Sequence, residues 1–272
     1  MSERLDSYLV KKGLASSRER SKEMIRAGLV KVDGKIIKKA AYRIEGDEAG
    51  HVLEITGDRL AYVSRGGLKL ERALSRFEID LKDKVCMDAG ASTGGFTDCM
   101  LQAGAAKVFA IDSGSGQLAE KLLNDPRVIS LENTNMRYVT PDLLGEKVSF
   151  ASADVSFISL TKVLLPIYEC LREEGEAVCL IKPQFEAGKK NIGKRGVVKD
   201  RKVQIEVISR VIDHACSIGF IVKDLDHSPI KGPEGNIEFL LYLKKCAGTA
   251  FCDQTRIRDI VFSAHSSLNQ LN

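Results

Sequence analysis

No apolar run in this chain of 272 residues approaches the roughly 20 residues that cross a bilayer. The longest stretches, such as Ala177–Ile181 and Phe239–Leu243, fall far short, which excludes a membrane-spanning protein. The sequence is charged from Glu3 onward and shows no apolar signal segment, so a cytoplasmic protein is expected rather than a secreted one. No Cys-x-x-Cys pair occurs among Cys86, Cys99, Cys170, Cys179, Cys216, Cys246 and Cys252. Zinc wants clustered ligands and a disulfide scaffold wants a shorter chain, so the cysteines are expected to be reduced, mostly buried thiols. No metal is expected. Internal repeats and low-complexity segments are also lacking, and 44% hydrophobic residues supply a packed core and exclude disorder.

The chain has little net charge, +4 from 41 basic and 37 acidic residues. The charge is unevenly placed. Residues 1–43 hold twelve Lys/Arg against five acids, a local +7. Leu5, Tyr8 and Leu9 recur at helical spacing in a segment that stops at Gly13. Ser16-Ser17-Arg18-Glu19 fits a capping box for a second helix ending near Gly28, and Asp33-Gly34 marks a hairpin turn. Arg18, Lys22 and Arg26 fall on one face of that second helix. A basic face can be mere solvated surface. A helix–loop–helix–hairpin of this charge, however, resembles the S-four-like RNA-binding domain over roughly residues 2–60. The resemblance implies RNA contact by Arg4, Lys11, Lys12, Arg18, Arg20, Lys22 and Arg26, with Arg65 in the join added to them. Such cations neutralise phosphates and set register without reading sequence. The expected layout is a small α/β domain over 1–58, a linker over 59–66 and a second domain over 67–272.

From Val85 onward strands and helices alternate, with strands expected near 85–89, 107–112, 128–132, 148–154 and 177–182. Helices are expected near 95–104, 116–123, 159–171 and 201–219. Alternation implies a mostly parallel, doubly wound α/β sheet. The strand-like segments 220–227 and 236–244 have no helix between them and are expected to be antiparallel neighbours, or nearly so. A further amphipathic helix is expected near 256–268.

The strongest local signal is Val85-Cys-Met-Asp-Ala-Gly-Ala-Ser-Thr-Gly-Gly-Phe96, a strand running through a glycine-rich turn into a helix. It has neither the Gly-x-Gly-x-x-Gly spacing of a dinucleotide fold nor the Gly-Lys-Ser/Thr of a P-loop, so a pyrophosphate has no cradle. Asp112 ends the second strand, where an acid can accept both hydroxyls of a ribose. Taken singly, the turn reads as a tight strand–helix connection and Asp112 as a helix N-cap. Together they look like the Rossmann-like fold of an S-adenosylmethionine-dependent methyltransferase. The expected cofactor contacts are Asp88, Gly90, Ser92, Thr93, Gly94, Gly95, Asp112 and, near the adenine, Asn133.

Asp154 and Lys182 close strands four and five, where a structural ion pair is one reading. Ser64-Arg-Gly-Gly-Leu-Lys-Leu70, Asp154-Val-Ser-Phe-Ile-Ser159, Lys182-Pro-Gln-Phe-Glu186 and Asn236-Ile-Glu238 together resemble the TlyA family. Its members, often labelled haemolysins, are rRNA 2′-O-methyltransferases joining an S-four-like domain to an FtsJ-like catalytic domain. The likeness runs over essentially the whole chain. It implies a catalytic tetrad of Lys69, Asp154, Lys182 and Glu238, S-adenosylmethionine as cofactor, and cytidine ribose in 16S and/or 23S rRNA, free or in ribosomal subunits, as substrate. Lys182 would orient the hydroxyl and accept its proton, helped by nearby positive charge, with Asp154 holding it and Glu238 orienting Lys69 or the ribose. A monomer or weak dimer is expected.

Residues 186–202 carry a local +5, and Lys189, Lys190, Lys194 and Arg195 are candidate RNA contacts directly after the presumed base. Two competing readings are a non-catalytic RNA-binding or ribosome-assembly factor and a haemolysin. A base methyltransferase would show a Pro-Cys motif or an Asn/Asp-Pro-Pro-Tyr/Phe turn, and neither is present.

Overall fold

The computed structural model describes residues 3–15, 18–26, 28–44, 51–55, 61–248 and 253–269, and only the backbone of residues 19, 20, 23 and 269. The serines of the expected capping box, the Arg20 side chain, the first two linker residues and Cys252 lie outside the described residues. The chain divides into two compact units, residues 1–65 and 66–272.

In the first unit, helices Leu5–Lys11 and Arg18–Arg26 bury Leu5, Leu9 and Ile25 against Val30 and Val32. Val30–Val32 and Lys35–Ile36 form the expected hairpin. Asp33 and Gly34 both take left-handed φ, 51° and 75°, as a two-residue turn requires. Leu53–Ile55 adds a third strand, and Glu3–Arg4 pairs with Arg43–Ile44. These were not expected, because strands of two or three residues are too short to show an alternation. Asp6 is fully buried at the first helix. It accepts hydrogen bonds from Arg4 Nε at 3.0 Å and Nη2 at 2.8 Å, with Arg18 at 3.5 Å. The Arg4 bond, aided by Arg18, holds the Asp6 carboxyl at about 2 against the opposing pull of burial.

The second unit is built on a seven-stranded sheet. Its strands are β1 (Val85–Ala89), β2 (Lys107–Ile111), β3 (Val128–Leu131), β4 (Val148–Ala153), β5 (Leu171–Ile181), β6 (Ile221–His227) and β7 (Phe239–Lys244). The spatial order is β6-β7-β5-β4-β1-β2-β3. All neighbouring pairs are parallel except those of β7, which runs antiparallel to both β5 and β6. Five longer helices cover it: α1 (Gly67–Arg76), α2 (Gly95–Gln102), α3 (Leu164–Cys170), α4 (Arg201–Ile218) and α5 (Gln254–Asn269). Helix α1 packs on α2, while α3, α4 and α5 share one core with β4, β5 and β7. Every residue of β4 and of the β5 segment 177–181 is buried, as central strands covered on both faces must be.

Three elements differ from expectation. Helix α1 occupies the stretch adjoining the expected linker. The helix expected near 116–123 shrinks to Glu120–Leu123, since Gly116 takes a left-handed φ of 64° and keeps the preceding loop open. Strand β5 starts at Leu171, with a register shift before Glu176 where Glu174 is left-handed. Cys86, Cys99, Cys170 and Cys179 are buried free thiols. Burial pushes Cys86 and Cys179 up to about 12 and Cys170 to about 11, which removes thiolate chemistry near neutral pH. Among the described residues no helix is long and apolar enough to cross a membrane.

Asp6 tests the first unit. Its depressed pKa means that the stabilisation is present above the unfolded value near 4 and is lost as pH falls toward 2. With both arginines partly exposed, Asp6→Asn is expected to cost about 1 to 2 kcal/mol at pH 7. Hydrogen exchange of the Leu5–Lys11 amides should report that loss, and the gap from wild type should close between pH 4 and pH 2.

Candidate active site

Strand order reverses where β1 lies between β4 and β2, and in open α/β sheets ligands bind beside the strand C-termini at such a point. Here β1 ends at Ala89, whose C=O accepts the Asp154 N–H at 3.0 Å, so the ends of β1 and β4 are held together. Gly90 follows with φ 85°. A Cβ on Gly90 would stand 2.9 Å from the Asp154 carbonyl oxygen, so only glycine lets the turn pass the end of β4. Beyond it opens a cavity of about 720 Å³, whose lining includes Gly90, Ser92, Asp112, Asn135, Met136 and Asp154.

Asp112 ties two walls of that cavity together. Its Oδ2 accepts the Ser92 N–H at 2.8 Å and its Oδ1 the Gly114 N–H at 2.7 Å. Ser92 holds a left-handed φ of 48° and its hydroxyl donates to Gln117 Oε1 at 3.2 Å. A left-handed glycine, a fixed carboxylate at the end of β2 and a cavity of this volume suit a nucleoside-bearing cofactor: the backbone can approach closely and the carboxylate can accept from ribose hydroxyls.

Several expected cofactor residues have other positions. Asp88 is fully buried beneath the turn, where Oδ2 accepts from Thr97 Oγ1 at 2.7 Å and Oδ1 from Ser152 Oγ at 3.0 Å. Burial raises its carboxyl to about 6, partly offset by those two hydroxyls. It braces the turn from inside rather than lining the cavity. Gly94 is required by packing, since a Cβ there would lie 2.2 Å from Leu122 Cδ1. Gly95 begins α2 as a buried residue, and the Thr93 C=O accepts the Ala119 N–H at 3.1 Å. Asn133 is exposed in a left-handed turn with φ 52°, and the wall expected of it is formed by Thr134, Asn135 and Met136.

At the cavity's edge four charged side chains meet, contributed by α1, β4, β5 and the entry to β7. Lys182 Nζ lies 2.5 Å from Asp154 Oδ1 and donates to Ser156 Oγ at 2.8 Å. Lys69 Nζ lies 3.4 Å from Asp154 Oδ2 and 2.7 Å from Glu238 Oε2. Lys69 and Lys182 are each 7% exposed and Glu238 is 1% exposed. Burial opposes the charge on Lys69, yet Asp154 and Glu238 outweigh it and hold its ammonium above the ordinary lysine range. Burial likewise works against the Asp154 carboxylate, and the two lysines outweigh it and hold its pKa below the usual range. Two cations and two anions thus balance in a poorly hydrated place.

Sequence reasoning missed Ser156 and Phe157, although both stand inside the Asp154–Ser159 motif. Phe157 has φ 63° and is 93% exposed, a strained and costly place for an aromatic ring. It lines the cavity and tilts against Phe185 with centroids 5.3 Å apart. Such a pair at a cavity mouth offers a stacking face to a planar ligand. Among the expected RNA contacts, Lys189, Lys190, Lys194 and Arg195 are exposed on one loop. Arg18 and Arg26 are exposed on their helix, and Lys22 and Arg65 are half-buried. Arg4 is occupied with Asp6, Lys11 lies 3.7 Å from Glu3, and the Lys12 ammonium lies over the Tyr8 ring at 5.4 Å.

Residues 62–245 match the family model described as FtsJ-like methyltransferase, and residues 3–49 match the S4 domain. The chain is 49% identical to "Putative rRNA methyltransferase YqxC" of Bacillus subtilis, covering 89% of this chain and 85% of that protein. It is 44% identical to "16S/23S rRNA (cytidine-2'-O)-methyltransferase TlyA" of Mycobacterium tuberculosis, over 89% of each. A solved structure named "Putative hemolysin" from Streptococcus thermophilus superposes with TM-score 0.81 at 44% identity, covering 99% of this chain and 98% of that one.

The close approach at Gly90 is open to test. Gly90→Ala combines left-handed strain with a clash against backbone and is expected to cost about 2 to 4 kcal/mol. Gly116→Ala meets left-handed strain alone, with nothing within 4 Å of its Cβ, and is the control. It is expected to cost about 1 kcal/mol in the same urea titration. Equal losses would remove the steric role of Gly90.

Proposed function

The chain belongs to the FtsJ-like methyltransferase family, and on that premise we propose that it methylates the ribose 2′-hydroxyl of cytidine in 16S and/or 23S rRNA. At the coarser level it is an rRNA methyltransferase with S-adenosylmethionine as its cofactor and an RNA-binding S4 domain. The observation that carries the finer reading is the Lys182–Asp154–Lys69–Glu238 cluster at the cavity edge. A ribose hydroxyl is a weak nucleophile, so its oxygen must be oriented and its proton accepted as the new O–C bond forms. S-adenosylmethionine supplies, when bound, a methyl group activated by a sulfonium.

The protein's own groups divide the remaining work. Asp112 and the Gly90–Ser92 turn hold the cofactor's polar parts. Lys69 is clasped by two carboxylates, an arrangement that suits a fixed cation rather than a base. The base in this reading is Lys182, which shares one carboxylate and has the Ser156 hydroxyl as its other partner. In its neutral form the Lys182 amine accepts the 2′-hydroxyl proton while Asp154 and Ser156 fix the nitrogen in place. Glu238 holds Lys69, and Lys69 keeps Asp154 aligned. Alignment of hydroxyl and methyl supplies much of the acceleration. Phe157 and Phe185 give the nucleoside a stacking surface beside that centre. The exposed cations of the loop after Glu186, with Arg18, Lys22 and Arg26 of the first unit, bind phosphates without reading sequence. The cytoplasm is the compartment this reading implies.

Two measurements check this reading. Lys182→Ala should bind S-adenosylmethionine within about threefold of wild type yet lose about 10²- to 10⁴-fold in tritiated-methyl transfer to rRNA. Undiminished transfer would eliminate Lys182 as the base. Reversing charge with Lys190→Glu and Lys194→Glu should weaken RNA binding and flatten the log Kd against log salt slope by about 2. A slope equal to that of wild type would take the loop out of the RNA interface.

A further inference from the structure

Asn236 stands two residues before Glu238 and is 3% exposed. Its Oδ1 accepts the Val198 N–H at 3.0 Å, and its Nδ2 donates to the Gly196 C=O at 2.9 Å. Both ends of the amide are thus engaged by the basic segment that follows Glu186. Its own C=O accepts the Gly232 N–H at 2.9 Å, closing the turn that leads into β7. That turn is in direct register with the cluster. A Cβ on Gly232 would stand 2.6 Å from Glu238 Oε1, so the turn backbone abuts the carboxylate that holds Lys69. On the other side, Lys190, Lys194, Arg195 and Lys199 face Glu234 and Gly235 across a groove of about 900 Å³. One buried side chain therefore joins a wall of the basic groove to the support of the catalytic carboxylate.

We propose that Asn236 is a positioning residue that couples RNA phosphates held by the 190–199 segment to the Glu238–Lys69 arm of the active site. The inference rests on the 2′-O-methyltransferase reading above. Phosphates seated among the groove cations restrict that segment. Gly196 and Val198 are pinned to Asn236, so the restriction reaches the 232–238 turn and the placement of Glu238. Binding energy gained away from the reacting atoms is then expressed as alignment, in kcat as well as in KM. Gln204 provides an internal contrast. Its Nε2 donates to the Val198 C=O at 2.9 Å, so it tethers the same segment, but its other partner is His265 on α5 rather than anything near Glu238.

The test uses full-length protein and rRNA at saturating S-adenosylmethionine, with kcat and KM for RNA separated. Asn236→Ala should lower kcat about tenfold and leave cofactor affinity within about twofold. Asn236→Asp keeps the acceptor for Val198 N–H but loses the donor, and should fall between the two while remaining folded. Gln204→Ala, which loosens the segment without touching the turn, should raise KM and leave kcat in place. In a double-mutant cycle, Lys190→Glu with Lys194→Glu should lower kcat in the wild-type background and lower it no further in Asn236→Ala. Additive kcat losses, or a Gln204→Ala kcat loss equal to that of Asn236→Ala, would overturn the coupling. Wild-type protein that transfers no methyl to ribose would instead overturn the proposed function.

Discussion

The carboxylate of Asp154 is the interaction on which the active-site end of the sheet depends. It lies between two ammonium groups that are almost wholly removed from water. Desolvation alone would drive each of these groups toward its neutral form, and mutual attraction repays that cost only where the geometry is close. A second carboxylate, Glu238, completes the balance on the Lys69 side. The result is asymmetric. Lys69 has two anionic partners and Lys182 has one with a hydroxyl, so two chemically identical residues acquire different surroundings.

That geometry needs four pieces of chain to converge with little tolerance, and the sheet supplies the convergence. Asp154 and Lys182 directly follow β4 and β5, which are parallel neighbours, so both side chains emerge at one edge. Glu238 directly precedes β7, and because β7 runs antiparallel to β5 its beginning meets the end of β5, with Ile181 opposite Phe239. A parallel seventh strand would put Glu238 at the far edge. The reversed strand is thus a geometric requirement of this cluster. Lys69 comes from α1, whose ion pair from Arg72 to Asp226 on β6 at 3.0 Å fixes the helix against the same end of the sheet.

The central strands and the glycine-rich turn were readable because their signals are local: a continuous apolar run of strand length, then glycines where φ must be positive. The four cluster residues were readable through family likeness rather than spacing, since 85, 28 and 56 positions separate them in turn. Helix α1 escaped notice because it opens on Gly66-Gly67 with no side-chain cap, leaving no start signal where one is usually sought. Asn133 was misplaced because a left-handed turn residue throws the wall onto its successors, a backbone reversal that composition does not reveal. Asp88 was placed differently for another reason: an acid just before a glycine-rich turn looks the same whether it faces a ligand or braces the turn. Only the positions of Thr97, on the helix that follows, and Ser152, 64 residues away, distinguish the two.

The charge pattern gains meaning from the same pairings. Segments 1–43 and 186–202 carry +7 and +5, leaving −8 on the rest of a chain whose total is +4. The two basic segments are not equivalent. In the first, Arg4 and Arg18 are drawn toward the buried Asp6, so part of the charge serves the fold and is less available to phosphate. In the second, Lys190, Lys194 and Arg195 stand exposed around a groove, while the backbone beneath them is held by Asn236 and Gln204. Charge that is exposed at its tip but anchored at its root can attract an anion at long range from a fixed position. Counting residues cannot separate these roles. They follow from which cations are already occupied by the protein itself and which backbone supports the remainder.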